Sequence, residues 1–244
     1  VDHVMTDTVQ KFEQATEIIQ KDVVQPAAGF INSLREDDWA AIVAYDLRPE
    51  ILTDFTQNRD ALFGGLRRLR YPAYRETSLY DAVAFTLDRM ENIDGKKAIF
   101  LLSTGFDTFS RKNYGTVLKM AEGSDTMIYS VGIAQLFRHM NEDRMSGFDR
   151  ISFLQAENVL RSLANASGGA YFFPKFQGEY RGIYERVSAN MRNQYSLGFV
   201  PTNQKKDGKL HKIKVEVPRL DVNHDGKLDK LKVRHKKGYY ARMN

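Results

Sequence analysis

From residue 39 to residue 193 the sequence alternates apolar runs of strand length with stretches whose apolar residues recur every three or four positions. No other feature constrains the fold as strongly. A parallel strand covered on both faces reads as an unbroken apolar run, whereas a helix packed on a sheet carries a one-sided stripe. Their alternation predicts an α/β fold: a doubly wound, mainly parallel sheet with helices on both faces. The strand readings are Trp39–Tyr45, Lys97–Ser103, Met127–Gly132 and the short Ala170–Phe173, with an edge strand starting at Ile51-Leu52. Helices are expected around Leu62, Leu66 and Leu69 (capped by Thr56 or Asn58), from Leu79 through Met90 (capped by Ser78), over about 111–122, around Phe153–Leu163 and around Tyr180–Met191. Residues 10–34 read as helical in one or two pieces, with Pro26 as a restart point.

After Asn193 the pattern changes. Tyr195–Val200, His211–Val217 and about 230–241 read as strands, a small C-terminal β extension of residues 194–244 beside a main unit of residues 1–193. Its aromatic residues Tyr195, Phe199, Tyr239 and Tyr240 need cover, so the extension is expected to pack on the main unit. A length of 244 residues with 42% hydrophobic content can supply a sizeable core without a metal or disulfide.

Composition narrows the function classes. With no cysteine, thiol catalysis, iron–sulfur ligation and thiolate zinc sites are excluded. No apolar run approaches the ~20 residues of a membrane-spanning helix, so no membrane span is expected. Starting at Val1, the sequence reads as trimmed, so an export signal and part of a first strand are expected upstream. The net charge of +5 is uneven: residues 202–244 hold 13 Lys and Arg against 5 Asp and Glu. Nucleic-acid binding through this basic end ranks last, because the segment lacks interleaved aromatic and basic residues, and no nucleic acid is expected.

No phosphate-binding glycine loop, dinucleotide fingerprint or nucleophile elbow is present, and the five histidines are scattered. Open α/β sheets bind ligands at the C-terminal ends of their strands. Those ends carry Asp46, Thr77, Ser78, Ser103, Thr104 and Asp107, together with a long polar loop over 134–150. Hydroxyls and carboxylates in one place suit a hard cation or a hydrogen-bonding partner.

The ordered segments "ETSLYDAV", "KKAIFLLSTGFDTFS", "MIYSVGI", "LANASGGAYFF", "MRNQYSLGFVPTN" and "KKGYYA" make the chain resemble a von Willebrand factor A domain, most nearly the related proteins of Acidobacteria and other environmental bacteria. The resemblance covers roughly residues 22–203 and the closing "GYYA". It implies a sheet ordered 3-2-1-4-5-6 and, in many members, a metal-ion-dependent adhesion site whose magnesium bridges to a partner's acidic side chain. This sequence departs from that site. Thr104-Gly105 stands where the family has Asp-Gly, and the D-x-S-x-S motif is absent, Asp2-His3-Val4-Met5-Thr6 being its nearest candidate. Thr77 fits the family's second-loop position. Magnesium at this edge is therefore not expected.

A second signal is Asp221-Val-Asn223-His-Asp225-Gly226-Lys227-Leu-Asp229. Oxygen-bearing side chains at every second residue, a glycine for the turn and the Lys227 carbonyl match the first nine positions of a calcium loop, but Lys232 stands where the bidentate carboxylate should be. Weak calcium binding is expected, suited to an extracellular or periplasmic protein. The leading reading is a non-enzymatic protein-binding module. The alternatives are a hydrolase using Ser103 or Asp107 and a chelatase-type partner of an ATPase. The identity of the protein partner and the oligomeric state are not legible.

Overall fold

The computed structural model describes residues 20–69, 76–133, 147–195, 197–203, 205, 207–219 and 233–240. After a π-helical turn, Gln20–Val24, helix α1 spans Gln25–Ser33. Pro26 sits in its first turn, where a missing N–H costs nothing. Strands β1, Ala40–Tyr45, and β2, Pro49–Thr56, form an antiparallel pair. The edge strand expected at Ile51-Leu52 is thus eight residues long. Helix α2, Arg59–Arg67, starts at Asn58, whose side chain accepts from the Ala61 N–H at 3.1 Å.

Helix α3 is Leu79–Met90, β3 is Ala98–Ser103, α4 is Tyr114–Gly123, β4 is Met127–Gly132 and α5 is Gly147–Ser167. Strand β5, Tyr171–Phe172, and helix α6, Glu179–Arg192, follow. Strands β3, β4 and β5 form a parallel sheet in that order. Side chains alternate across it. Leu101 and Ile128 join Leu79, Val83 and Leu87 of α3, Val117 and Ala121 of α4, and Leu160 and Leu163 of α5. Tyr129 and Val131 face the other way, against Tyr180, Ile183, Tyr184 and Val187 of α6, with Phe30 of α1. Helices therefore cover both faces, as the alternation requires. Leu62 and Leu66 pack with Ile31 and Ile42 in a third cluster.

Gly168 follows α5 with φ +80°, a left-handed position that costs other residues about 1 kcal/mol. It turns the chain at once into β5.

The extension differs from expectation. Among its described residues, only Leu210–Lys212 (β6) and Gly238–Tyr240 (β7) form a ladder, antiparallel to each other. Among the described residues, the segment expected as the strand Tyr195–Val200 makes no ladder, and His211–Val217 is strand only at its start. Beyond the ladder the Ile213 N–H still donates to the Lys237 carbonyl at 2.8 Å, and alternation alone does not supply a longer partner. Cover for the aromatics is also divided. Tyr240 reaches the main unit, donating to Glu122 Oε2 at 2.7 Å. Tyr195 stays 88% exposed, although Phe199 packs edge-on against Tyr239. No described helix is long and apolar enough to cross a membrane.

Candidate functional site at the C-terminal edge of the sheets

The chain leaves β1 at Tyr45 and β3 at Ser103, and the two hydroxyls meet: Tyr45 Oη donates to Ser103 Oγ at 2.7 Å. Ser103 is 2% exposed, and its oxygen also accepts from the Gly105 N–H at 3.0 Å. Burial pushes the Tyr45 phenol up to about 12, opposed by the Ser103 hydrogen bond and assisted by the negative charge of Asp107. The folded protein therefore holds this proton more tightly than the unfolded chain does. The resulting stability is complete below pH 10 and disappears as pH rises toward about 12. Alkaline titration followed by circular dichroism is expected to show stability falling over that window, and less steeply in Tyr45→Phe.

Ser78 is fully buried just before α3. The sequence suggests that its hydroxyl caps the helix, but Oγ donates instead to the Asp46 carbonyl at 2.8 Å, alongside the Ser78 N–H at 2.7 Å. Asp107 takes over the cap. Its Oδ1 accepts from the Tyr80 N–H at 3.0 Å and from Ser110 Oγ at 2.5 Å. Asp81 answers from the helix, accepting from the Arg111 and Lys112 N–H groups at 3.0 and 2.9 Å. Thr77 completes the seam: its carbonyl accepts from the Thr108 and Phe109 N–H groups, and its own N–H donates to Thr108 Oγ1. A carboxylate at a helix N-terminus is stabilised by the free N–H groups there.

The structure thus brings Asp46, Thr77, Ser78, Ser103 and Asp107 into one hydrogen-bonded seam. Thr104 lies on its exposed side, its Oγ1 3.4 Å from the Phe106 nitrogen. The Asp46 carboxylate is half-buried and accepts from the adjoining Leu47 N–H at 2.5 Å. Among the described residues no group of three or more His, Asp or Glu side chains could hold a metal ion. The calcium-loop candidates Asp221, Asn223, Asp225, Lys227 and Asp229, Asp2–Thr6 and positions 134–146 of the polar loop lie outside the described residues.

Sequence reasoning missed four contributors. Tyr45 was read only as part of a strand. Phe109, tied to the seam through the Thr77 carbonyl, is 56% exposed. Phe106 packs edge-on against Phe153 at 5.2 Å, which joins the loop to the start of α5. The sequence spacing set Phe153 on an apolar stripe, but only the packing shows that it meets the loop after β3.

No family profile and no curated protein matches the sequence. Solved structures do match. An aerotolerance-related membrane protein from Bacteroides fragilis is similar at 9% identity and a TM-score of 0.54, over 71% of this chain and 88% of that one. BatB from Bacteroides thetaiotaomicron is similar at 14% identity and a TM-score of 0.51, over 70% and 87%. A von Willebrand factor type A protein from Catenulispora acidiphila matches 91% of this chain and 50% of its own, at 14% identity and a TM-score of 0.54. The fold is von Willebrand factor A-like. At such identities the likeness shows the fold alone. In a von Willebrand factor A-like sheet the seam of Asp46, Ser78, Ser103 and Asp107 occupies the edge where open α/β sheets bind.

Proposed function

We propose that this chain is a non-enzymatic protein-binding module whose partner docks on the C-terminal edge without a bridging cation. One observation carries the reading. Asp107, the carboxylate nearest the family's metal position, is engaged within the chain by Tyr80 and Ser110. Thr104 leaves a neutral hydroxyl where the resembled adhesion site has a carboxylate, so the site is degenerate in this reading. The exposed Phe109 adds the apolar contact that protein interfaces concentrate at their centres. A hydrolase reading has less support. Ser103 is buried and hydrogen-bonded to a phenol that stays protonated at neutral pH, which cannot serve as a base.

The test is affinity capture from cell-envelope extracts of the source organism, with and without chelator. The wild-type chain is expected to retain a partner in chelator, whereas Phe109→Asp loses it. Capture that vanishes with chelator, or that survives Phe109→Asp, overturns the reading.

Calcium is proposed only for residues 221–229, from their sequence. Three carboxylates, Asp221, Asp225 and Asp229, attract a divalent ion more strongly than the adhesion-site position, which offers at most Asp2 with the neutral hydroxyls of Thr6, Thr77 and Thr104. Calorimetry is expected to show calcium binding at about millimolar strength. Asp225→Ala is expected to abolish it. Binding unchanged by that substitution refutes the assignment. Affinity in this range fits the proposed extracellular or periplasmic setting.

A further inference from the structure

Among the described residues, exposed apolar side chains gather in the C-terminal extension. Leu197 and Val200 are 77% and 84% exposed, in one run with the equally bare Tyr195. Phe199 and Val217 are exposed as well, although the Phe199 ring meets Tyr239 edge-on. Single apolar side chains on a surface are ordinary, but a contiguous group marks a protein or membrane contact.

The same segment is strongly basic. Residues 202–244 carry 13 Lys and Arg against 5 Asp and Glu, whereas the rest of the chain carries 23 against 26. Lys205, Lys209, Lys212, Arg219 and Lys237 are exposed, and Lys214 is paired with Glu216. The extension is also fixed to one end of the sheet. Lys236 Nζ donates to the carbonyl of Gly123, the last residue of α4, at 3.2 Å, and Tyr240 holds Glu122 of the same helix. A Cβ on Gly168 would lie 2.9 Å from the Lys236 nitrogen, so the two backbones approach closely. Gly123 and Gly168 precede β4 and β5, so these contacts lie at the N-terminal ends of the parallel strands. The seam lies at the opposite ends.

We propose that the extension adsorbs to the surface of a bilayer rich in anionic phospholipid, with Tyr195, Leu197 and Val200 at headgroup depth and the basic side chains on the lipid phosphates. Interfacial adsorption combines buried apolar area with attraction to anionic lipid. Each basic side chain close to such a surface strengthens partition by about fivefold. Two features favour a bilayer over other acidic partners. Leu197, Val200 and Val217 are aliphatic, whereas nucleic-acid bases need flat rings to stack on. The basic residues are spread from Lys205 to Lys237 without a focus, which suits a continuous field of phosphates better than one acidic groove. Adsorption through this end leaves the seam facing away from the lipid.

The test is co-sedimentation of the full chain with vesicles of phosphatidylcholine, alone or mixed equally with phosphatidylglycerol, in chelator, which keeps the result independent of calcium. Binding to the mixed vesicles is expected to be at least about tenfold tighter than to phosphatidylcholine, and to weaken about tenfold between about 0.1 and about 0.5 M salt. Leu197→Asp combined with Val200→Asp should lower it by about tenfold or more, and the exposure of both side chains lets the fold survive. Because the chain has no cysteine, Leu197→Cys gives a single labelling site. A fluorophore there should be quenched by brominated acyl chains, whereas one on Arg111→Cys, beside the seam, should not. Binding that is absent or equal on the two vesicles, no loss in the aspartate variant, quenching at position 111 alone, or retention of a DNA oligonucleotide in place of vesicles would each overturn the proposal.

Discussion

Gly105→Ala is expected to destabilise the protein by about 2–4 kcal/mol, through strain and backbone overlap together. Gly105 has φ +87°, a conformation that an alanine side chain resists. A Cβ there would lie 2.4 Å from the Ala156 carbonyl oxygen and 2.8 Å from its carbon. Those atoms belong to the backbone of α5, so no side chain can swing aside. The loop must lift away from the helix, drawing Phe106 off Phe153 and loosening the Asp107 cap. Urea denaturation gives the magnitude. A variant within about 0.5 kcal/mol of wild type would show that the loop does not depend on this approach.

The second large effect is expected at Lys97. Its amine is nearly buried, 4% exposed, and pairs with Asp125 at 2.8 Å, while Asp125 is 68% exposed. The Glu91 carbonyl, at 3.4 Å, is a poorer partner. Asp125→Ala leaves a desolvated ammonium with that carbonyl alone. Breaking a wholly buried pair costs about 3–5 kcal/mol, and the exposure of Asp125 places this one at about 2 kcal/mol. Lys97→Met keeps the side-chain volume and removes the charge, so it should cost less than about 1 kcal/mol. Thermal unfolding of the two variants should therefore rank Asp125→Ala well below Lys97→Met. The reverse order would mean that the amine stabilises through other contacts.

Much of the fold was legible because burial writes itself into residue pattern. The run Ala98–Ser103 announced a covered parallel strand. The spacing of Tyr180, Ile183, Tyr184 and Val187 announced a helix buried along one stripe. Thr56 and Asn58 both offered a start for α2, and the cap falls to Asn58, whose partner is three residues away. The site was legible as a set of residues but not as an arrangement. The cap on α3 comes from Asp107, 27 positions beyond the Tyr80 amide that it receives. No local rule connects the two, and the nearer Ser78 looked the better candidate until its hydroxyl turned to the Asp46 carbonyl. The C-terminal extension failed for a related reason. Alternation in Tyr195–Val200 records a capacity for pairing, and pairing depends on a partner that the segment does not contain.

The seam through Asp46, Thr77, Asp107 and Asp81 has a thermodynamic consequence for recognition. Loops that are free before binding surrender conformational entropy when a ligand orders them, and that loss subtracts from affinity. Here the loops after β1 and β3 and the start of α3 are already fastened to one another by hydrogen bonds within the chain. The ordering was completed during folding and is not repeated at association. A modest contact area on this edge can therefore yield a long-lived complex, with most of the entropic loss falling on the incoming molecule.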